Sequence, residues 1–386
     1  MSIARRWTHW LRHWLRHLAL LAALPLLIAA AASAPAGALP IYAAREKMAC
    51  ANCHVDPSGG GLRTPFGFDY LRNRHSMTAE SRWPDLPENQ PELAPKLPVG
   101  GDLRLLYDAP HQRTKAGFPS ELSTFFRMQG AFYLSYAPIE QIRAYYNQDV
   151  NGVRDLWAMV TGALPGKGYV RIGTFRPPYG LRLEDHTIYQ RDDLPQAVSV
   201  LGYDPRTPDA GIELGWIRTS AFVQAAVTNG AGPSFDSDRN KAFTARAVHF
   251  HGPLLAGLTV RLDSQGTAAV TERRRFGAYG TLTPHPNVVV LGALDLGEDE
   301  RGGAMTRSLL GWGEADYFLH RDARLRLRYE FLDQDRDEEF ADSERYTVEG
   351  DWTPMPFATL RLSFRFTSNE RTSDLEELVG LWHLYF

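Results

Sequence analysis

The stretch ARLRLRYEFL, residues 323–332, alternates without a break. Leu325, Leu327, Tyr329 and Phe331 fall on one face, and Arg324, Arg326, Arg328 and Glu330 on the other. Side chains of a β-strand point alternately to its two faces, so a period of two means a strand with one apolar and one polar side. LRLSFRFT (360–367) repeats the pattern, with Leu360, Leu362, Phe364 and Phe366 opposing Arg361, Ser363 and Arg365. FRMQGAFYLSY (126–136) sets Phe126, Met128, Phe132, Leu134 and Tyr136 against Arg127, Gln129 and Ser135. From Gly101 onward no convincing helical period interrupts this alternation.

A soluble sandwich and a membrane barrel both alternate, so further features must decide. Strands of ten or more residues recur, long enough to cross an outer membrane when tilted. Short joints such as APIEQ, LPGKG, RTS, FHGPLL, TPHPN, LHRDA and TPMPF alternate with generally longer polar stretches, among them NGAGPSFDSDRNK and DQDRDEEFADSE. Short periplasmic turns alternating with longer outer loops are the outer-membrane pattern. The final ELVGLWHLYF places Leu378, Trp382, Leu384 and Phe386 on one face, and a last strand closing on an aromatic resembles the signal read by outer-membrane assembly machinery. The competing reading is a soluble β-protein whose last core strand ends in Phe.

The fold expected is all-β, a transmembrane antiparallel barrel of about sixteen strands. The strands are expected near 101–108, 122–137, 141–149, 154–164, 168–177, 209–219, 220–229, 241–252, 254–265, 272–284, 287–299, 306–320, 323–335, 344–355, 357–368 and 374–386. Inward Arg127, Arg171, Arg324, Arg326, Arg328, Arg361 and Arg365 are expected to pair with lumenal acids, with a dedicated anion pathway as the alternative. The longest connection, from about Pro178 to Asp209, is expected to fold inward or form a cap.

Residues 1–38 have the layout of a secretory signal peptide. Arg5, Arg6, Arg12 and Arg16 make a basic start, an apolar run follows from about Leu18 to Ala32, and Ala36-Gly37-Ala38 forms a cleavage site ahead of Leu39. An uncleaved amphipathic anchor is the other reading. Losing four Arg and no acid would take the formal charge from −3 to −7, a mildly acidic balance that argues against a nucleic-acid partner.

Both cysteines of the chain sit in one cluster, Cys50-Ala51-Asn52-Cys53-His54, which matches the c-type haem attachment motif. Two thiols at that spacing can add to the two vinyl groups of one haem, and the adjacent imidazole of His54 can reach the iron as proximal ligand. A redox disulfide is the competing use, but no thioredoxin-like pattern surrounds the pair. A zinc site lacks a second Cys pair. For the sixth iron position His75 is ranked first and Met77 second, and Met48 lies just before the motif. Residues 39–98, with DPSGGGLRTPFG in the middle and the Pro-rich WPDLPENQPELAPKLPVG at the end, are too few to bury a haem alone. The barrel, residues 99–386, is the candidate to cover it.

In this order of segments the chain resembles the fused monohaem cytochrome–porin family, outer-membrane proteins of iron-oxidising and related bacteria. The resemblance rests on REKMACANCHVDP followed by RTPFGFDYLRNRH, where a Pro-Phe-Gly turn follows the haem motif. VRIGTFRPPYGLRLEDHTIYQR also looks like a stretch of phosphate-selective porins. The family implies electron transfer at the outer membrane through one covalent haem c held by Cys50, Cys53 and His54, with iron(II) as the extracellular donor and so an iron(II) oxidase activity. It implies a periplasmic redox carrier, such as a soluble cytochrome, as partner. Two other functions fit the same residues: a solute porin, for anions, whose haem segment plugs or senses, and a haem peroxidase-like enzyme with an open distal site.

Overall fold

A computed structural model describes residues 41–46, 48–74, 87–114, 119–121, 123–150, 152–166, 168–181, 207–218, 220–230, 232, 236, 238–266, 270–320, 323–338, 342–369 and 373–386. The expected signal peptide and the ligand candidates His75 and Met77 lie outside the described residues. Three short helices come first: α1 (Ile41–Glu46), α2 (Cys50–Cys53) and α3 (Pro65–Arg74). The barrel strands follow as β1 (Leu97–Thr114), β2 (Thr124–Ile139), β3 (Ile142–Asp149), β4 (Gly152–Leu164), β5 (Gly168–Phe175), β6 (Asp209–Ile217), β7 (Ala221–Thr228) and β8 (Ala242–His251). The second half is β9 (Leu254–Gln265), β10 (Thr271–His285), β11 (Val288–Arg301), β12 (Ala304–His320), β13 (Ala323–Asp333), β14 (Asp342–Met355), β15 (Ala358–Asn369) and β16 (Ser373–Tyr385).

Each strand pairs antiparallel with its neighbour in sequence, and β16 returns to pair with β1 from Tyr385↔Asp102 to Ser373↔Thr114. The sheet is therefore a closed sixteen-stranded barrel. Backbone at the junction continues past the last pair: Phe386 N–H donates to Gly101 O at 3.1 Å and Gly101 N–H to Phe386 O at 3.2 Å. Gly101 leaves room for the terminal ring, since a Cβ there would come within 2.6 Å of it.

The direction of the alternation identifies the solvent. Along β13, Arg324, Arg326, Arg328 and Glu330 are at most 5% exposed, whereas Leu327 is 53% exposed. On β15, Ser363 and Arg365 are buried while Leu362 and Phe364 are exposed. A water-soluble sandwich buries its apolar set; here the polar set is inside and the apolar set faces outward, as in a barrel solvated by lipid. Exposed Tyr136, Tyr317 and Trp352 lie toward one mouth and Phe125 and Tyr346 toward the other. That is the placement of aromatic girdles at the two membrane interfaces.

One mouth is built of connections two or three residues long, such as those between Ile139 and Ile142 or Met355 and Ala358. This short-turn mouth is the periplasmic one. The opposite mouth carries the longer loops, although three of its connections are as short, between Asp149 and Gly152, Arg301 and Ala304, and Asn369 and Ser373.

Two expectations need correction. β1 extends from 97 to 114 rather than 101–108. Pro110 does not break it, because pairing to β2 ends at Asp108 and pairing to the short strand Pro119–Glu121 begins at His111, so no ladder bond is lost on that side. In β2 a register shift sets Gln129 opposite Arg104 and Arg127 opposite Leu105, with Met128 as the extra residue. The bulge reverses the parity: Arg127 is exposed, and Met128 packs inward against Leu106, Val379 and Leu381.

The outward face yields a direct check. Leu327→Arg places a guanidinium in the apolar band and should destabilise the barrel by about 2–4 kcal/mol. The measurement is urea titration of the refolded, heat-modifiable form in lipid vesicles.

Candidate functional site

Residues 41–74 lie within the barrel and dock on its wall from several sides. Ile41 and Ala44 of α1 pack with Val289, Leu291 and Phe318, and Thr283 Oγ1 donates to Ala44 O at 3.1 Å. Val55 and Leu62 enter a second cluster with Tyr133, Tyr145, Trp157 and Tyr169. Phe68 of α3 meets Phe357 at the short-turn mouth, ring centroids 5.4 Å apart. Within the segment, Arg45 donates to Tyr70 Oη at 2.6 Å, and Tyr70 donates to Glu46 at 2.9 Å, joining α1 to α3. Burial, reinforced by Glu46, raises the Tyr70 hydroxyl well above the usual phenol range.

The motif itself is one helical turn. His54 N–H donates to Cys50 O at 2.9 Å, which carries the imidazole onto the end of the turn that holds both thiols. Residues 55–62 then reverse the chain: Asp56 accepts from Ser58 N–H at 2.8 Å, and Val55 N–H reaches Leu62 O at 3.0 Å. Gly59, Gly60 and Gly61 have φ of 92°, 74° and 65°, a left-handed run that side-chain-bearing residues rarely adopt. The loop closes with a β-bridge between His54 and Arg63. The Pro-Phe-Gly that follows is the first turn of α3 rather than a turn in a loop: Thr64 Oγ1 caps it by accepting from Gly67 N–H at 3.1 Å, and Pro65 takes the first helical position. Gly67 is required by contact, because a Cβ would sit 2.1 Å from Cys53 O.

A polar lattice latches this segment to the wall. Arg171 is fully buried between Asp56 of the loop (3.2 Å) and Glu213 of β6 (2.6 Å), its guanidinium 4.4 Å from the Phe175 ring centroid. Glu213 also accepts from Tyr169 (2.7 Å) and Gln224 (2.9 Å), and Gln224 reaches Ser58 Oγ at 3.2 Å. Arg246 joins Gln224 Oε1 (2.6 Å) to Gly180 O (3.0 Å). Gly180 belongs to the start of the long connection after β5, and this start lies in the lumen: Tyr179 donates to Asp295 at 2.6 Å, and Leu181 is 1% exposed. Residues 182–206 of that connection lie outside the described residues.

Between the segment and the wall lies a cavity of about 270 Å³. Met48, Cys50, Cys53, His54 and Gly59–Gly61 border it on one side. Arg104, Arg324, Arg326, Arg328, Arg361, His383 and Tyr385 border it on the other. These wall residues sit in the half of the barrel nearer the short turns, so the motif is on the periplasmic side of the lumen. The wall arginines are paired: Arg326 with Glu349 at 2.6 Å, Arg328 with Glu314 at 2.5 Å, Arg361 with Asp351 at 2.7 Å, and Arg324 with Asp351.

Cys50 and Cys53 are not joined in a disulfide, and both are half-buried. Burial pushes the Cys53 thiol up, the Arg63 guanidinium offsetting part of that, so it stays protonated near neutrality. Two unbridged thiols one helical turn apart and a neighbouring imidazole at one cavity are the donor set that a covalently attached tetrapyrrole would use. Among the described residues no group of three or more His, Cys, Asp or Glu side chains is placed to hold a bare metal ion. Cys50, Cys53, His54 and Met48 are thus brought to one cavity. The sequence reading missed His383, Arg104 and Arg63 as its other borders. Inward parity marks Arg104 and His383 as lumenal, but only the register of β16 on β1 brings them together.

No family model and no curated protein matches the chain. Solved structures do match in fold. The anion-selective porin from Comamonas acidovorans superposes with a TM-score of 0.59 at 11% identity, over 75% of this chain and 99% of that one. OmpT of Vibrio cholerae gives 0.56 at 10% identity, over 75% and 97%. The outer membrane channel DcaP of Acinetobacter baumannii gives 0.55 at 11% identity, over 77% and 99%. The fold is that of an outer-membrane porin. The chain is accordingly placed in the outer membrane.

Removing the latch tests the docking. Arg171→Leu leaves the Asp56 and Glu213 carboxylates buried without their cation, a change that costs about 3–5 kcal/mol in such settings. The expected result is proteolytic cleavage within 41–74 in a barrel that still shows heat modifiability; an equally protected segment would refute the role of this lattice.

Proposed function

We propose that this barrel is an electron-transfer protein of the outer membrane, in which Cys50 and Cys53 hold one haem c and His54 is its proximal ligand. The supporting observation is a single one: both thiols and the imidazole border one cavity inside a closed barrel. Attachment is balanced chemistry. Each thiol adds across one vinyl double bond, sulfur to one carbon and hydrogen to the other, with no net oxidation and no leaving group. Bound there, the haem would supply a one-electron couple whose potential depends on its axial ligands and surroundings.

The chain's own residues would perform the rest. Leu62, Val55 and the aromatic cluster around Tyr145 exclude water from the loop that follows the motif. The Asp56–Arg171–Glu213 lattice holds the motif in the periplasmic half, within reach of a soluble carrier at the short-turn mouth. From there to the outer mouth the path is roughly half of the ~25 Å apolar height. The extracellular partner, with iron(II) as one donor to assay, belongs at that outer mouth.

The second reading is a solute porin, and the porin neighbours favour it, one of them anion-selective by its own description. The two readings use the lumen in opposite ways. Reconstitution of the full chain into liposomes separates them: reduction of an enclosed redox dye by an external donor supports the conduit, and anion conductance without dye reduction supports the pore. Replacing Cys50 and Cys53 by Ala should abolish covalent haem staining and dye reduction while the barrel band persists. A wild-type protein that carries no covalent haem would remove the first reading.

A further inference from the structure

Of the cations that border the cavity, Arg63 stands apart. Arg104, Arg324, Arg326, Arg328 and Arg361 each have a carboxylate of the wall within ion-pair distance. Arg63 makes no such ion pair among the described residues; its guanidinium lies 5.0 Å from the centroid of the Tyr385 ring. It is half-buried, it borders the cavity, and its backbone is bridged to His54. A guanidinium held against an aromatic face keeps its fork of N–H donors directed at the ring's edge, available to a planar oxyanion.

The porphyrin of a c-type haem carries its two vinyl substituents and its two carboxylates on opposite edges. A haem whose vinyl edge was fixed by Cys50 and Cys53 would direct its carboxylate edge away from the two thiols. We propose that Arg63 is the carboxylate anchor of this site, taking a haem propionate and setting which edge of the macrocycle faces the C-terminal strand. The inference rests on the electron-transfer reading and adds to it a residue that the attachment motif does not contain. Arg63 supplies the positive charge that the wall arginines, already matched by Asp102, Glu314, Glu349 and Asp351, have committed elsewhere. The bridge to His54 gives the anchor a second consequence, because the backbone that carries the cation is paired with that of the proposed proximal ligand.

The test compares the purified full-length protein with Arg63→Gln, Arg63→Lys and, as a charge control, Arg274→Gln near the long-loop end of β10, each checked for heat modifiability and covalent haem before redox titration over a range of pH. Removing a cation beside the haem favours the ferric form, so Arg63→Gln should lower the midpoint potential. It should also let the propionate take up a proton at higher pH, so that the rise in potential on acidification begins earlier than in the wild type. Arg63→Lys should stay near the wild type, and Arg274→Gln should match it. Haem attached in Arg63→Gln with an unchanged midpoint and pH profile overturns the anchor and leaves the electron-transfer reading standing. Absence of covalent haem from the wild type overturns both. If Arg63→Gln alone loses haem, recovery by Arg63→Lys supports the anchor, and failure of Arg63→Lys as well assigns Arg63 a structural role and overturns it.

Discussion

The pairing of β16 with β1 is the constraint from which the rest follows. In hydrocarbon no water satisfies an exposed N–H or C=O, so a sheet can face lipid only if it has no free edge. Thirteen Cα partner pairs, from Ser373↔Thr114 to Tyr385↔Asp102, remove that edge here. Once the ring is closed, each strand has one face toward lipid and one toward the lumen, and the composition of the two faces is settled by their solvents. Leu327, Leu362 and Phe364 are exposed because their solvent is acyl chain, and Arg326 and Glu349 are buried because theirs is one another and the half-buried Arg361.

A lumen lined with charge imposes its own condition. Taking an ion out of water is costly unless a partner and hydrogen bonds replace the solvent. The wall meets this by cross-strand pairing, Arg328 with Glu314 from β12 and Arg365 with Glu377 from β16. The N-terminal segment meets it by completing a wall that would otherwise be unfinished: Arg171 has Glu213 on one side and needs Asp56 on the other. The segment is therefore part of the electrostatic structure of the barrel and not merely a guest within it. Its apolar residues behave likewise, since Leu62 is fully buried only because Tyr145 and Tyr133 surround it.

Alternation made all sixteen strands readable in advance, because period two is a local property and each strand carries it whole. ARLRLRYEFL and LRLSFRFT kept the faces expected of them. FRMQGAFYLSY did not, and the reason is not local: the extra residue Met128 exists only relative to the register of β1, which no reading of β2 alone contains. The site divides in the same way. Cys50, Cys53 and His54 form a spacing and were visible; Arg171, Glu213 and Gln224 meet Asp56 and Ser58 across more than a hundred residues and were not. The glycines of DPSGGG were legible as a loop. Their reason, three successive left-handed residues that return the chain to a bridge between His54 and Arg63, required coordinates.

The small N-terminal segment and the large barrel also explain each other's departures from the usual. About sixty residues cannot bury a porphyrin, and an empty sixteen-stranded barrel encloses a water-filled lumen. Docked together, the segment gains the wall as its missing core, and the wall gains occupants for its lumen from both directions, α1 to α3 in the short-turn half and Tyr179 to Leu181 from the long connection. Either use of the lumen starts from that docking: a solute would pass beside α1 to α3, and a haem held at Cys50 and Cys53 would take its cover from the same wall residues.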